Sequence, residues 1–169
     1  LERDQAYAKY MGELKGKYPN NHEVAAFYAL SLLGAVPVGR DEEAYEKGAK
    51  IAQSILAENP QHPGALHYLS HSSYDPFHAK LALKAAKNYS QVAPDAAHAL
   101  RMPSHIYVAM GMWDDVISSK IASYDASLKR KNKKELDGDA RSYHALAWLL
   151  YGYLQKENVE KADQIMRDM

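Results

Sequence analysis

The chain contains no cysteine, so neither a disulfide framework nor thiolate chemistry is open to it, although that absence leaves its compartment unspecified. It has no net charge either. Its 21 basic and 21 acidic residues cancel, leaving no global field to draw it to nucleic acid or an anionic membrane. No apolar run approaches the roughly 20 residues that cross a bilayer, and no signal-peptide pattern opens the sequence. No stretch alternates apolar and polar residues at the period of a strand. Catalytic signatures are equally sparse. There is no HExxH spacing, no glycine-rich phosphate loop, no nucleophile–base pair and no suggestive pair of carboxylates. What enzymatic reading remains is a hydrolase using histidine as a general base.

What is present is helical periodicity, punctuated by proline. Residues 1–18 place Tyr7, Tyr10, Met11 and Leu14 on one helical face, and Pro19 ends the run. A second helix spans 22–33. After the loop AVPVGRD, Asp41 is placed to cap a third helix running to Asn59. His62–Pro63 opens the fourth, with proline at a first helical position, and Asp75–Pro76 opens the fifth in the same way. Pro94–Asp95 starts a sixth helix with Pro103 in its interior, where proline either kinks it or marks its true start. Trp113–Asp114 starts a seventh, the charged segment 129–139 reads as a helix end and linker, and 140–154 and 158–169 give the eighth and ninth. The tryptophans, Met110, Met112 and the many tyrosines fall at helical spacing and are expected to fill the core between helices.

The stretch from Pro60 to Trp113 repeats on itself with a shift of 34: Pro60 falls on Pro94, His67 on Arg101, His71 on His105, and Ala82 on Val116. That is the period of the tetratricopeptide helix–turn–helix. With proline closing each unit, Pro19, Pro60 and Pro94 are successive unit ends, and Ala82, Val116 and Ala162 take the small position of the second helix. The predicted architecture is therefore all-α: an α-solenoid of antiparallel helix hairpins, about nine helices in a right-handed superhelix, forming one domain over 1–169. Its units are a partial one at 1–18 and full ones at about 20–60, 61–94, 95–139 and 140–169. The incomplete end units predict a piece of a longer array, or a chain that dimerises through its uncapped ends.

The runs HPGALHYLSHSSYDP, APDAAHALRMPSHIYVAMGMWDDVI and YHALAWLLYGYLQ resemble a family of bacterial tetratricopeptide-repeat-like proteins, mostly uncharacterised and longer than this chain; AAFYALSLLG (25–34) matches as well. Members of that family usually carry a histidine at the position of Arg101 and an acidic residue at that of Ala147. The resemblance implies a binding scaffold whose groove is lined by the first helix of each unit. Carried onto this sequence, it selects His67, His71 and Tyr74 from one unit, His98, Arg101 and His105 from the next, and His144 and Tyr151 from the last, with His62 left at a helix start.

Two chemistries suit those residues. Arg101 offers a planar fork for a carboxylate or phosphate, with imidazoles and tyrosine hydroxyls around it, so the groove would take a peptide or a small anionic ligand and need no cofactor. Alternatively, His67 and His71, one helical turn apart, converge with His105 on zinc or another divalent transition metal. Arg101, one turn from His105, repels a dication. The anion reading is favoured on that ground.

Overall fold

A computed structural model describes residues 1–169 as ten α-helices with no strand: α1 (Glu2–Lys17), α2 (His22–Gly34), α3 (Glu42–Glu58), α4 (Pro63–Ser73), α5 (Ala79–Val92), α6 (Ala97–Arg101), α7 (Pro103–Ala109), α8 (Trp113–Lys133), α9 (Tyr143–Gln155) and α10 (Val159–Asp168). Consecutive helices pack in order, and α4 also touches α2 and α7 across the hairpins. The chain is an α-solenoid of tetratricopeptide-like hairpins. The hairpins are α2/α3, α4/α5, α6–α7/α8 and α9/α10, with α1 packed on α2.

Asp41 caps α3 as expected, and further side-chain caps are present. Asn21 and Asp41 accept from the backbone N–H groups of Val24 and Ala44 at 3.0 and 2.8 Å, and Asn158 accepts from that of Lys161 at 3.1 Å. His62 uses Nδ1 the same way on Ala65, at 3.2 Å, which accounts for its burial at the start of α4. Asp75 gathers the turn after α4. It accepts from the backbone and ring of His78 and pairs with Arg40 at 3.0 Å, while Arg40 also donates to the Ser72 carbonyl. Burial would raise the Asp75 pKa, but these partners hold it below the usual carboxylate range.

Three expectations need correction. The segment 129–139 is helical as far as Lys133, because lysine and arginine favour a helix and sit well at its negative C-terminal end. The sixth helix is divided at Met102, whose φ and ψ remain helical (−58° and −40°), so the chain runs on through the break. The division arises because Pro103 has no N–H to donate. Finally, of the aromatics only Tyr89 and Tyr107 are buried in the core. Alanine supplies more than half of the buried apolar side chains, with Ile55, Leu66, Ile106 and Leu146 among the larger ones. Helices this lined with alanine leave little room for rings between them, and Tyr7, Tyr10, Tyr74 and Tyr151 stand at least 42% exposed. Gly48 extends the repeat one unit back, 34 residues before Ala82: a Cβ there would lie 2.7 Å from Leu33 Cδ1.

Candidate functional site

The first helices α4, α6–α7 and α9 bring the sequence-selected residues onto one face, linked through their rings. His67 and His71, one turn apart on α4, have ring centroids 4.6 Å apart, and His98 of α6 approaches His67 with the two Nε2 atoms at 3.1 Å. Tyr89 of α5 stacks on His67 at 5.3 Å from behind. Further along this face, Tyr74 lies 5.8 Å from His105, which in turn sees His144 at 6.2 Å and Trp148 at 5.9 Å. Tyr151 meets Trp148 edge-on at 5.8 Å.

Arg101 joins the two groups. Its Nη2 donates to His98 Nδ1 and its Nη1 to His144 Nε2, both at 2.8 Å, which requires both acceptor nitrogens to be unprotonated. Those bonds engage two of the five N–H donors a guanidinium carries. None of the ion pairs in the structure includes Arg101.

Arg101 ends the short α6, just before the break at Pro103. Backbone carbonyls around it are taken by serine hydroxyls: Ser104 donates to the Arg101 carbonyl at 2.7 Å, Ser119 to that of Leu100 at 2.6 Å and Ser123 to that of Ala97 at 2.8 Å. Ser119 and Ser123 belong to α8, so the outer helix fixes the short α6 from behind.

Between those two serines, α8 contributes a residue that sequence reasoning missed. Lys120 is fully buried, its Nζ has no hydrogen-bond partner, and no carboxylate pairs with it. The ammonium sits 5.6 Å from the centre of the Trp148 ring. Burial, then Arg101, lowers its pKa to about 7. The sequence does carry a signal for it: Val116 takes the small position of the repeat, and Lys120 lies one turn further on, 34 residues after the buried Ala86. A lysine in the register of a buried alanine marks a site rather than a surface.

The histidines shift the same way. Burial first, and neighbouring cations and imidazoles after it, lower His67 and His105 to about 3. His71, His98 and His144 are also lowered, by burial and then by the charges around them, among which Arg101 recurs. The site is thus a set of neutral imidazoles around one fixed cation and one buried amine.

The metal trio is not drawn together as one group. His67 pairs with His71 and His98, whereas His105 faces Tyr74, His144 and Trp148. No group of three or more histidine, aspartate or glutamate side chains is arranged to hold a metal ion. An open apolar cavity of about 340 Å³ adjoins this face, lined by Val108, Ala147, Trp148 and Tyr151. A larger cavity, about 590 Å³, lies elsewhere, between the start of α6 and the end of α8. Its lining mixes Asp95 and Asp125 with Lys129, Arg130 and Lys133, as expected of a solvated helix end.

No family model matches the sequence, and no curated protein matches it. Solved structures do. MamA of Desulfovibrio magneticus RS-1, from residue 41 to its end, superposes with a TM-score of 0.76 at 14% identity, over 98% of this chain and 82% of that one. A thermophilic TPR protein of Thermus thermophilus gives 0.66 at 16% identity, over 99% and 82%. A second MamA structure, MSR-1, gives 0.71 at 13%, over 98% and 84%. At these identities the likeness establishes the fold, and no helix is long and apolar enough to cross a membrane.

Proposed function

We propose that the chain is a non-enzymatic binding module whose groove captures the anionic group of a peptide or small molecule at Arg101. The observation that carries this reading is a partly buried, positively charged site without a carboxylate. Arg101 is steered by two neutral imidazoles and keeps donors unused, and the buried Lys120 has no hydrogen-bond partner and no carboxylate. Burying a cation without an anion is costly, and an anionic ligand offsets that cost when it binds. The solenoid supports the reading in a general way, since stacked helix pairs create extended concave surfaces suited to binding.

The test compares thermal unfolding of untagged protein in sodium phosphate, in acidic peptides and in sodium chloride of equal ionic strength. An anion at ten times its Kd stabilises by about 1.4 kcal/mol, or roughly 3–6 °C for a chain of this size. That rise is expected in the wild type and absent in Arg101→Gln. Equal midpoints for the wild type in all three solutions would exclude the reading, and an undiminished rise in Arg101→Gln would move the site elsewhere.

A further inference from the structure

The anion site continues into an apolar shelf, and the two are built from the same pair of helices. On α9, His144, Ala147, Trp148 and Tyr151 occupy positions i, i+3, i+4 and i+7, one stripe down a single face. Arg101, His105 and Val108 form the matching stripe on α6–α7. The stripes begin with the Arg101–His144 hydrogen bond and end at the cavity of Val108, Ala147, Trp148 and Tyr151. At 1.5 Å of rise per residue, Ala147 to Tyr151 lie about 5–10 Å along the axis from His144. Both Tyr151 and Ala147 are exposed, although Trp113 of α8 meets the Tyr151 ring edge-on at 5.6 Å. Trp148 is common to both regions, with His105 and His144 on one side, Tyr151 on another, and the Lys120 ammonium against its ring.

A bare inorganic anion leaves this shelf unused. A purely apolar molecule leaves Arg101 and Lys120 uncompensated. We propose that the ligand is an aryl carboxylate: a carboxylate held by Arg101 and joined through a short link to a flat apolar ring lying on Val108, Ala147, Trp148 and Tyr151. The carboxylate is preferred over a phosphate dianion because only Arg101 carries a fixed charge; His98 and His144 beside it are neutral acceptors already bonded to it. A ring on the shelf meets Trp148 and Tyr151, which stand nearly perpendicular to each other at 89°, so it can stack on one and meet the other edge-on. The same chemistry occurs in a free aryl acid and in the C-terminal aromatic residue of a peptide.

This inference rests on the anion reading of Arg101, and the experiment separates the two. Calorimetric titration of the whole chain uses acetate, phenylacetate and phenylacetamide, with wild type, Arg101→Gln and the shelf double variant Ala147→Gln plus Tyr151→Ala. Both shelf residues are exposed, so the double variant is expected to fold. Phenylacetate should bind about tenfold or more tightly than acetate, as covering one ring with apolar surface implies. The shelf variant should lose that preference and keep its acetate affinity, and Arg101→Gln should lose both ligands. Acetate and phenylacetate binding alike, each dependent on Arg101, would overturn the shelf and leave the anion site standing. Phenylacetamide binding as well as phenylacetate would overturn the carboxylate, and no binding of any acid would overturn both readings. A peptide ending in phenylalanine that outcompetes phenylacetate assigns the ligand to a chain terminus; the reverse order assigns it to a free acid.

Discussion

Replacing Lys120 with methionine should stabilise the protein, and the gain should depend on pH in a way that identifies its cause. Methionine keeps an apolar stem of similar length and removes the ammonium. In the folded chain that amine, fully buried and unpartnered, has a pKa lowered from 10.5 to about 7, by burial first and by Arg101 second. The unfolded chain restores the ordinary value. Between pH 7 and 10.5 the unfolded chain therefore holds a proton that the folded chain has released, and stability contributed through this group rises with pH across that window. Below pH 7 the penalty is present in full; above 10.5 it has vanished. At 1.36 kcal/mol per pKa unit the full penalty is about 5 kcal/mol, falling to about 2 kcal/mol at pH 9. Chemical denaturation of wild type and Lys120→Met at pH 6 and pH 9.5 measures it. The variant should be more stable at pH 6, by several kcal/mol, with the difference shrinking to about 1–2 kcal/mol at pH 9.5. A gap equal at both pH values, or a variant less stable at pH 6, would show that the ammonium has a partner in the fold and would remove one support of the anion site.

Three further outcomes follow from the packing around the groove. Ser119→Ala leaves the Leu100 carbonyl without its hydroxyl donor and should cost about 1–3 kcal/mol in denaturant unfolding while also weakening anion binding, since α6 carries Arg101. Leu66→Ala, at a side chain 1% exposed in the core below α4, should cost about 2–5 kcal/mol without changing the ligand preference. His67 and His105, held near 3, stay neutral in the folded chain while the unfolded chain protonates near 6.5. Stability should therefore fall as pH drops from 6.5 toward 3, and the double variant His67→Gln plus His105→Gln should show a flatter acid limb in a Tm-against-pH series.

The fold was legible because its signals are repeated and local. Prolines at 60 and 94, small residues at 82, 116 and 162, and capping residues at 41 and 62 each specify one joint of the solenoid. The positions of His67, His71, His98, Arg101, His105 and His144 on one face follow from the same period, because a repeat that stacks carries equivalent residues to neighbouring places. Contacts across helices were not legible in that way. Periodicity says which face His105 occupies; it does not say that Trp148 and Tyr74, rather than His71, meet it there. The serine hydroxyls that hold α6 were hidden because serine on a helix reads as neutral until the carbonyl it reaches is known. Lys120 was hidden for a similar reason, as a lysine in a charged helix reads as surface, and only the alignment of Val116 and Lys120 with Ala82 and Ala86 exposes it. The aromatics misled in the opposite direction. They are large and helically spaced, yet only Tyr89 and Tyr107 are buried, and alanine took most of the interior.

The central claim, that the groove at Arg101 holds an anion, is tested most directly by the anomalous signal of a heavy-atom oxyanion in crystals. With tungstate present, density should lie within hydrogen-bonding distance of the Arg101 guanidinium, between His98 and His144, and disappear in Arg101→Gln. Tungstate bound only at exposed cations such as Lys129 and Lys133, with nothing at Arg101, would contradict the account.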